Sequence, residues 1–111
     1  MQTISTASQF EQLKARPALF VLFGGMHCGV CQALKPKIES LLAQQFPEIE
    51  LAYVDCEQTP DICAQHGVFT LPVVRLFIQG QLHLEMARSF SLKELTRQLD
   101  RVYRLWQQSK D

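Results

Sequence analysis

Apolar positions along this chain switch between two periods, and each switch marks an element. Ala18-Leu19-Phe20-Val21-Leu22-Phe23 is an unbroken, β-prone apolar run, which predicts a central strand covered on both faces. Gly24-Gly25 ends it. From Cys31 onward, Leu34, Ile38, Leu41 and Leu42 recur at helical spacing, with a kink expected at Pro36 and an end at Pro47. Upstream, Thr3 and Ile4 begin a short edge strand. Ser8 with Glu11 then reads as a capping box for a helix that turns Phe10 and Leu13 inward and that Pro17 ends.

The second half repeats the alternation. Leu51-Ala52-Tyr53-Val54 predicts a third strand with Asp55 at its C-terminal edge, and Pro60 to His66 a short helix closing at Gly67. Val73 to Ile78 and Leu82 to Met86 form two strands around a turn at Gln79-Gly80-Gln81. Ser91 with Glu94 offers a second capping box, and Leu92, Leu95, Leu99, Val102 and Trp106 mark one stripe of a closing helix. A helix between the first two major strands makes them parallel, whereas the tight turn makes the last two antiparallel. The expected fold is α/β: a central mixed β-sheet flanked by helices on both faces, in a single domain over residues 1–111 with no repeat or linker.

Composition narrows the functions. Eleven basic and eleven acidic side chains cancel, so electrostatics favours neither nucleic acid nor an anionic membrane as a partner. The longest apolar run is far too short to cross a bilayer, and Met1-Gln2-Thr3-Ile4-Ser5 does not read as an export signal, so a cytoplasmic monomer is expected. At 47% hydrophobic, the chain can build a core without disulfide staples, which turns its four cysteines toward redox catalysis or metal binding.

Cys28-Gly29-Val30-Cys31 falls where the central strand gives way to a helix. Two thiols two residues apart there meet on the first turn, and the free N–H groups and positive dipole end favour a thiolate, the attacking species in disulfide exchange. Cys56 and Cys63 leave several readings open: a second disulfide, a regulatory switch, or a four-thiolate zinc site of spacing C-x2-C-x24-C-x6-C. The last pair is spaced too widely for a usual structural zinc site. Cys63 reads as a small buried side chain beside Ile62, and Cys56 is left unassigned.

Taken together these features resemble the thioredoxin superfamily over nearly the whole chain. Cys28-Gly29-Val30-Cys31 resembles its redox motif, Pro36 stands at its kink five residues after the second cysteine, and Val54-Asp55 resembles the end of its third strand. Gly67-Val68-Phe69-Thr70-Leu71-Pro72 looks like the approach to its cis-proline, and Gly80 like its hairpin glycine. The resemblance implies a thiol-disulfide oxidoreductase acting on protein disulfides. Cys28 would be the exposed nucleophile and Cys31 the resolving thiol. Leu71, Pro72, Gly29, Val30 and His27 would line the substrate site, with an extended segment pairing to the Leu71 backbone. Electrons would come from a reductase or another dithiol donor. No cofactor or metal is expected, because both electrons reside in the sulfur pair.

The departures from that pattern carry information too. The family's buried aspartate, six residues before the first cysteine, is Leu22 here, and a nearby lysine is Leu51, so the usual proton relay is missing. His27 replaces a tryptophan before the first cysteine, Gly24 replaces another at the strand end, and Arg88 replaces a groove glycine. An imidazolium at His27 would stabilise the Cys28 thiolate, the alternative being a solvated loop residue. Arg88 would either select acidic or polar substrates or form a surface ion pair. His66 reads as a helix-end cation, His83 as an outward residue of an edge strand, and Asp55, Glu57 and Asp61 as solvated acids. Tyr103 and Trp106 read as core packing. Leu22 and Arg88 also sustain a second functional reading, an interaction or redox-sensing module with little turnover.

Overall fold

The structure is a computed structural model and describes residues 1–110. Its elements run β1 (Gln2–Thr3), α1 (Ala7–Lys14), β2 (Ala18–Gly24), α2 (Gly29–Gln45), β3 (Glu50–Asp55), α3 (Pro60–Gln65), β4 (Val73–Ile78), β5 (Gln81–Ala87) and α4 (Leu92–Ser109). The sheet order is β1-β3-β2-β4-β5. β1, β3 and β2 are mutually parallel, β4 runs antiparallel to β2, and β5 antiparallel to β4. Every residue of β2 is buried, as its unbroken apolar run requires of a strand paired on both edges and covered on both faces.

Alternation along β2 divides the core in two. Ala18, Phe20 and Leu22 face a cluster built with Ile38, Leu41 and Leu42 of α2 and Leu95, Leu99 and Trp106 of α4. Leu19, Val21 and Phe23 face the other, with Phe10 and Leu13 of α1 and Ile62 and Cys63 of α3. Tyr103 meets Phe46 and Trp106 edge-on at ring separations of 5.2 and 5.9 Å, so this aromatic group belongs to the first cluster. The β4–β5 turn uses Gln79 and Gly80 at φ of 52° and 81°, the left-handed pair that a two-residue hairpin needs to match strand twist.

The start of α1 differs from expectation. The cap of α1 is Thr6 rather than Ser8: Thr6 Oγ1 accepts from Gln9 N at 3.1 Å, and the Gln9 amide reaches back to Ser5 N and Thr3 O. Thr6-x-x-Gln9 is the same capping signature shifted two residues upstream, and it wins because it also ties the helix to β1. α2 runs through Pro36 and ends before Pro47, as expected. His66 sits at the end of α3, as expected. Its ring stacks on Phe10 at 4.3 Å, and Nδ1 donates to the Ile62 carbonyl at 2.8 Å, so the imidazole packs as an aromatic wedge between α3 and α1.

Candidate active site

The parallel arrangement of β2 and β3 brings their C-terminal ends side by side, with Gly24 paired to Asp55 and Cys56 N donating to Gly24 O at 2.8 Å. Beyond Gly24 the chain turns through Gly25-Met26-His27, and Cys28 N donates to Gly25 O at 3.1 Å. Cys28 is the N-cap of α2. Its backbone is extended, and its Sγ accepts from Cys31 N at 3.3 Å. Cys28 is half-buried and Cys31, one turn along, fully buried. The two form a disulfide with α-carbons 5.2 Å apart. One sulfur thus lies within reach of solvent at the positive end of a 17-residue helix, which stabilises a thiolate there once the bond is opened, and the other sits directly beneath it.

The remaining residues expected at the site differ in exposure and backbone geometry. Gly29 and Val30 are exposed on the first turn of α2. Pro72 is buried, its peptide bond to Leu71 is cis, and its carbonyl accepts from Arg88 N at 2.8 Å. Leu71 is half-buried just before β4, and its backbone groups pair with nothing in the sheet. Arg88 has a φ of 66°, the left-handed region that costs a side-chain-bearing residue roughly 1 kcal/mol and suits glycine. Met26 and Phe69, which the sequence reading left out of the site, are exposed apolar residues in the two loops that carry the cysteines and Pro72.

Of the two readings of His27, the solvated loop residue is the one the structure matches: the side chain is 84% exposed, and its ring is hydrogen-bonded to Glu57. The Glu57 carboxylate takes it with two oxygens, Oε2 accepting from the backbone N–H at 2.7 Å and Oε1 bonding Nδ1 at 2.6 Å. Glu57 is in turn held by Asp55, whose Oδ1 accepts from Glu57 N and Gln58 N at 2.8 and 3.2 Å, so two of the three solvent-accessible acids also build the site's frame. Cys56 and Cys63 take one of the readings left open, and Cys63 is buried as expected. They form a second disulfide, with α-carbons 5.7 Å apart, that ties the end of β3 to α3. The four sulfurs pair two and two.

The Glu57 contact fixes a pH signature. Hydrogen bonding and the charge of Glu57 raise the His27 pKa above its ordinary 6.5, and the hydrogen bonds from His27 lower Glu57 below 4.5. The raised imidazole contributes stability that is complete below 6.5 and is lost as pH rises through its folded value. The depressed carboxylate contributes above 4.5 and loses its share as pH falls through its own folded value. Both are therefore complete only between those limits. With the His27 side chain 84% exposed, salt weakens the pair. Glu57→Gln returns the imidazole titration toward 6.5, read from its ring-proton NMR shifts. An unmoved titration would mean that the carboxylate does not hold the ring in solution.

The sequence profile described as Thioredoxin matches residues 2–101. The chain is 34% identical over 95 residues to thioredoxin-like protein YdfQ of Bacillus subtilis, covering 86% of this chain and 84% of that one. It is 33% identical over 84 residues to protein disulfide-isomerase of Humicola insolens, a match that spans 67% of this chain and only 17% of the isomerase. Among solved structures, Fasciola hepatica thioredoxin superposes with a TM-score of 0.81 at 26% identity, covering 91% of this chain and 98% of the other.

Proposed function

The chain belongs to the thioredoxin family and is a thiol-disulfide oxidoreductase, and we propose that it works in the reducing direction on protein disulfides, with Cys28 as nucleophile and Cys31 as resolving thiol. The observation that carries this assignment is the contrast between the sulfurs, Cys28 half-exposed at a helix N-cap and Cys31 fully buried under it. In the reduced protein the Cys28 thiolate attacks one sulfur of a substrate disulfide, the substrate's S–S bond breaks, and one substrate sulfur leaves as a thiolate. Cys31 then attacks Cys28 Sγ, the mixed disulfide breaks, and the second substrate sulfur leaves. Two electrons have passed to the substrate, and the protein holds the Cys28–Cys31 bond.

The surroundings support a protein substrate. The unpaired Leu71 backbone suits strand-like pairing with an extended segment, and Met26, Val30 and Phe69 give that region an exposed apolar rim. Gly29 adds no side chain on the first turn, His27 is held by Glu57, and Pro72 carries no N–H donor. The protein acts as a cytoplasmic monomer, regenerated by a reductase or another dithiol, and needs no further cofactor, as its family works through its own disulfide. Among the described residues no helix is long and apolar enough to cross a membrane.

Expression of Cys31→Ser in cells is the test. Without the resolving thiol, each client stays covalently attached to Cys28, and the adducts dissolve on reduction. Alkylation of the wild type in the same cells should find the Cys28–Cys31 pair mostly as thiols. Absence of adducts would remove the reductase role in favour of an interaction or sensing module with little turnover, a reading that the carboxylate-free core at Leu22 would then support. A mostly oxidised pair would reverse the direction.

A further inference from the structure

Tyr53 carries a hydroxyl that packing alone does not explain. It lies opposite Leu22 in the β2–β3 register, on the sheet face that α2 covers, and is only 4% exposed. Its Oη is buried without a hydrogen-bond partner. An unpaired buried hydroxyl is destabilising, and phenylalanine would fill the same volume without it.

Its neighbour is the resolving cysteine. A Cβ added at Gly24 would lie 2.9 Å from Cys31 Cβ and 3.0 Å from Tyr53 Oη, so the phenol tip and the Cys31 side chain both border the space that Gly24 leaves empty. Gln32 donates to Gly25 O at 3.0 Å and also lies close enough to favour the phenolate, but it makes no hydrogen bond of good geometry to Tyr53 Oη. Leu22 places no carboxylate in this region, and Gly24 no side chain at all. The charged groups around the phenol are Lys35 of α2, with Nζ 4.0 Å from the ring centre, and Asp55 and Glu57 at the end of β3.

We propose that the Tyr53 hydroxyl is a catalytic hydrogen-bond donor to the Cys31 thiolate during resolution of the mixed disulfide. This rests on the exchange reaction above. In the oxidised structure the hydroxyl makes no hydrogen bond to the Cys31 sulfur, which is uncharged and a weak acceptor while bonded to Cys28. In the mixed disulfide Cys31 is a buried thiol that must ionise before it attacks. Burial opposes the charge, and an O–H that borders the same Gly24 gap favours it. The thiol proton goes to solvent, Cys31 Sγ bonds Cys28 Sγ, the Cys28–substrate bond breaks, and the substrate sulfur leaves with the electron pair. Tyr53 keeps its proton throughout. Burial, aided by Asp55 and Glu57, pushes its own pKa above 10, so it remains a donor over the range in which the thiol titrates.

Reduced protein in excess over dithiobis(nitrobenzoate) separates the two steps, since Cys28 releases the first coloured thiolate and Cys31 the second. In Tyr53→Phe the first phase keeps the wild-type rate. Losing a hydrogen bond to the charged sulfur raises the Cys31 pKa by about one unit, and the scarcer thiolate is partly offset by its greater nucleophilicity. The second phase therefore slows about threefold at pH 7, and its pH midpoint moves up by about one unit. Thermal unfolding is expected at or above the wild-type temperature, because the substitution deletes only an unpaired buried group. Direct titration of Cys31 in Cys28→Ser, with and without Tyr53→Phe, reads the same shift when no exchange can occur. A second phase absent in the wild type would count against exchange itself, whereas an unshifted Cys31 titration would overturn the role of Tyr53.

Discussion

Cys28→Ser reduces insulin with dithiothreitol no faster than the uncatalysed background, while unfolding at nearly the temperature of the wild type with its Cys28–Cys31 bond reduced. The two halves of that result have separate physical origins. Cys28 Sγ both presents the reacting atom and caps α2 by accepting from Cys31 N. A serine hydroxyl takes over the cap, since oxygen at this position is among the best N-cap acceptors. It cannot take over the chemistry, because a hydroxyl is hardly ionised near neutral pH and the helix end has no thiolate to stabilise. Cys31 does not substitute, being fully buried behind the first turn. If Cys28→Ser kept a substantial part of the rate, the nucleophile would lie elsewhere, and Cys56, the other half-exposed cysteine, would be the alternative.

What could be read from sequence follows the range of the forces involved. β2 was legible because its burial is written in consecutive residues, and α4 because Ser91, Glu94 and the Leu95-Leu99-Trp106 stripe lie within one helix. The Cys28–Cys31 bond was legible because its two halves share a turn. His27 with Glu57 was not, since they are 30 residues apart and meet only because parallel β2 and β3 end at the same edge of the sheet. Cys56 and Cys63 straddle an irregular loop whose path decides whether the sulfurs meet, and spacing alone could not choose among disulfide, switch and zinc. The clue to Tyr53 was Gly24: an absent side chain beside a cysteine-bearing turn asks what fills the space, and the answer comes from the neighbouring strand. Leu22 and Leu51 named the missing carboxylate and lysine without pointing to that hydroxyl.

Cys56→Ala with Cys63→Ala lowers folding stability by about 2.5 kcal/mol, which shifts Tm by roughly 10 °C or more for a chain of this size. The crosslink closes a short loop in the unfolded chain, and its removal returns that entropy. α3 feels the loss most. It has six residues, its cap residue Thr59 makes no side-chain bond to the first turn, and so short a helix holds only through what it is tied to. The ties that remain are Ile62 in the second core cluster and the His66 stack on Phe10. Because Cys56 immediately precedes Glu57, loosening the loop also weakens the hold on His27, and the imidazole titration moves toward 6.5 as it does in Glu57→Gln. Thermal unfolding in the absence of reductant measures the first effect, and NMR titration the second. The double variant should then lose less stability than the wild type on treatment with a strong dithiol, since only the Cys28–Cys31 bond remains to be broken. Equal Tm values without reductant would mean that the second crosslink constrains nothing the core does not already hold, and the fixed position of Glu57 would have to come from the Asp55 turn alone.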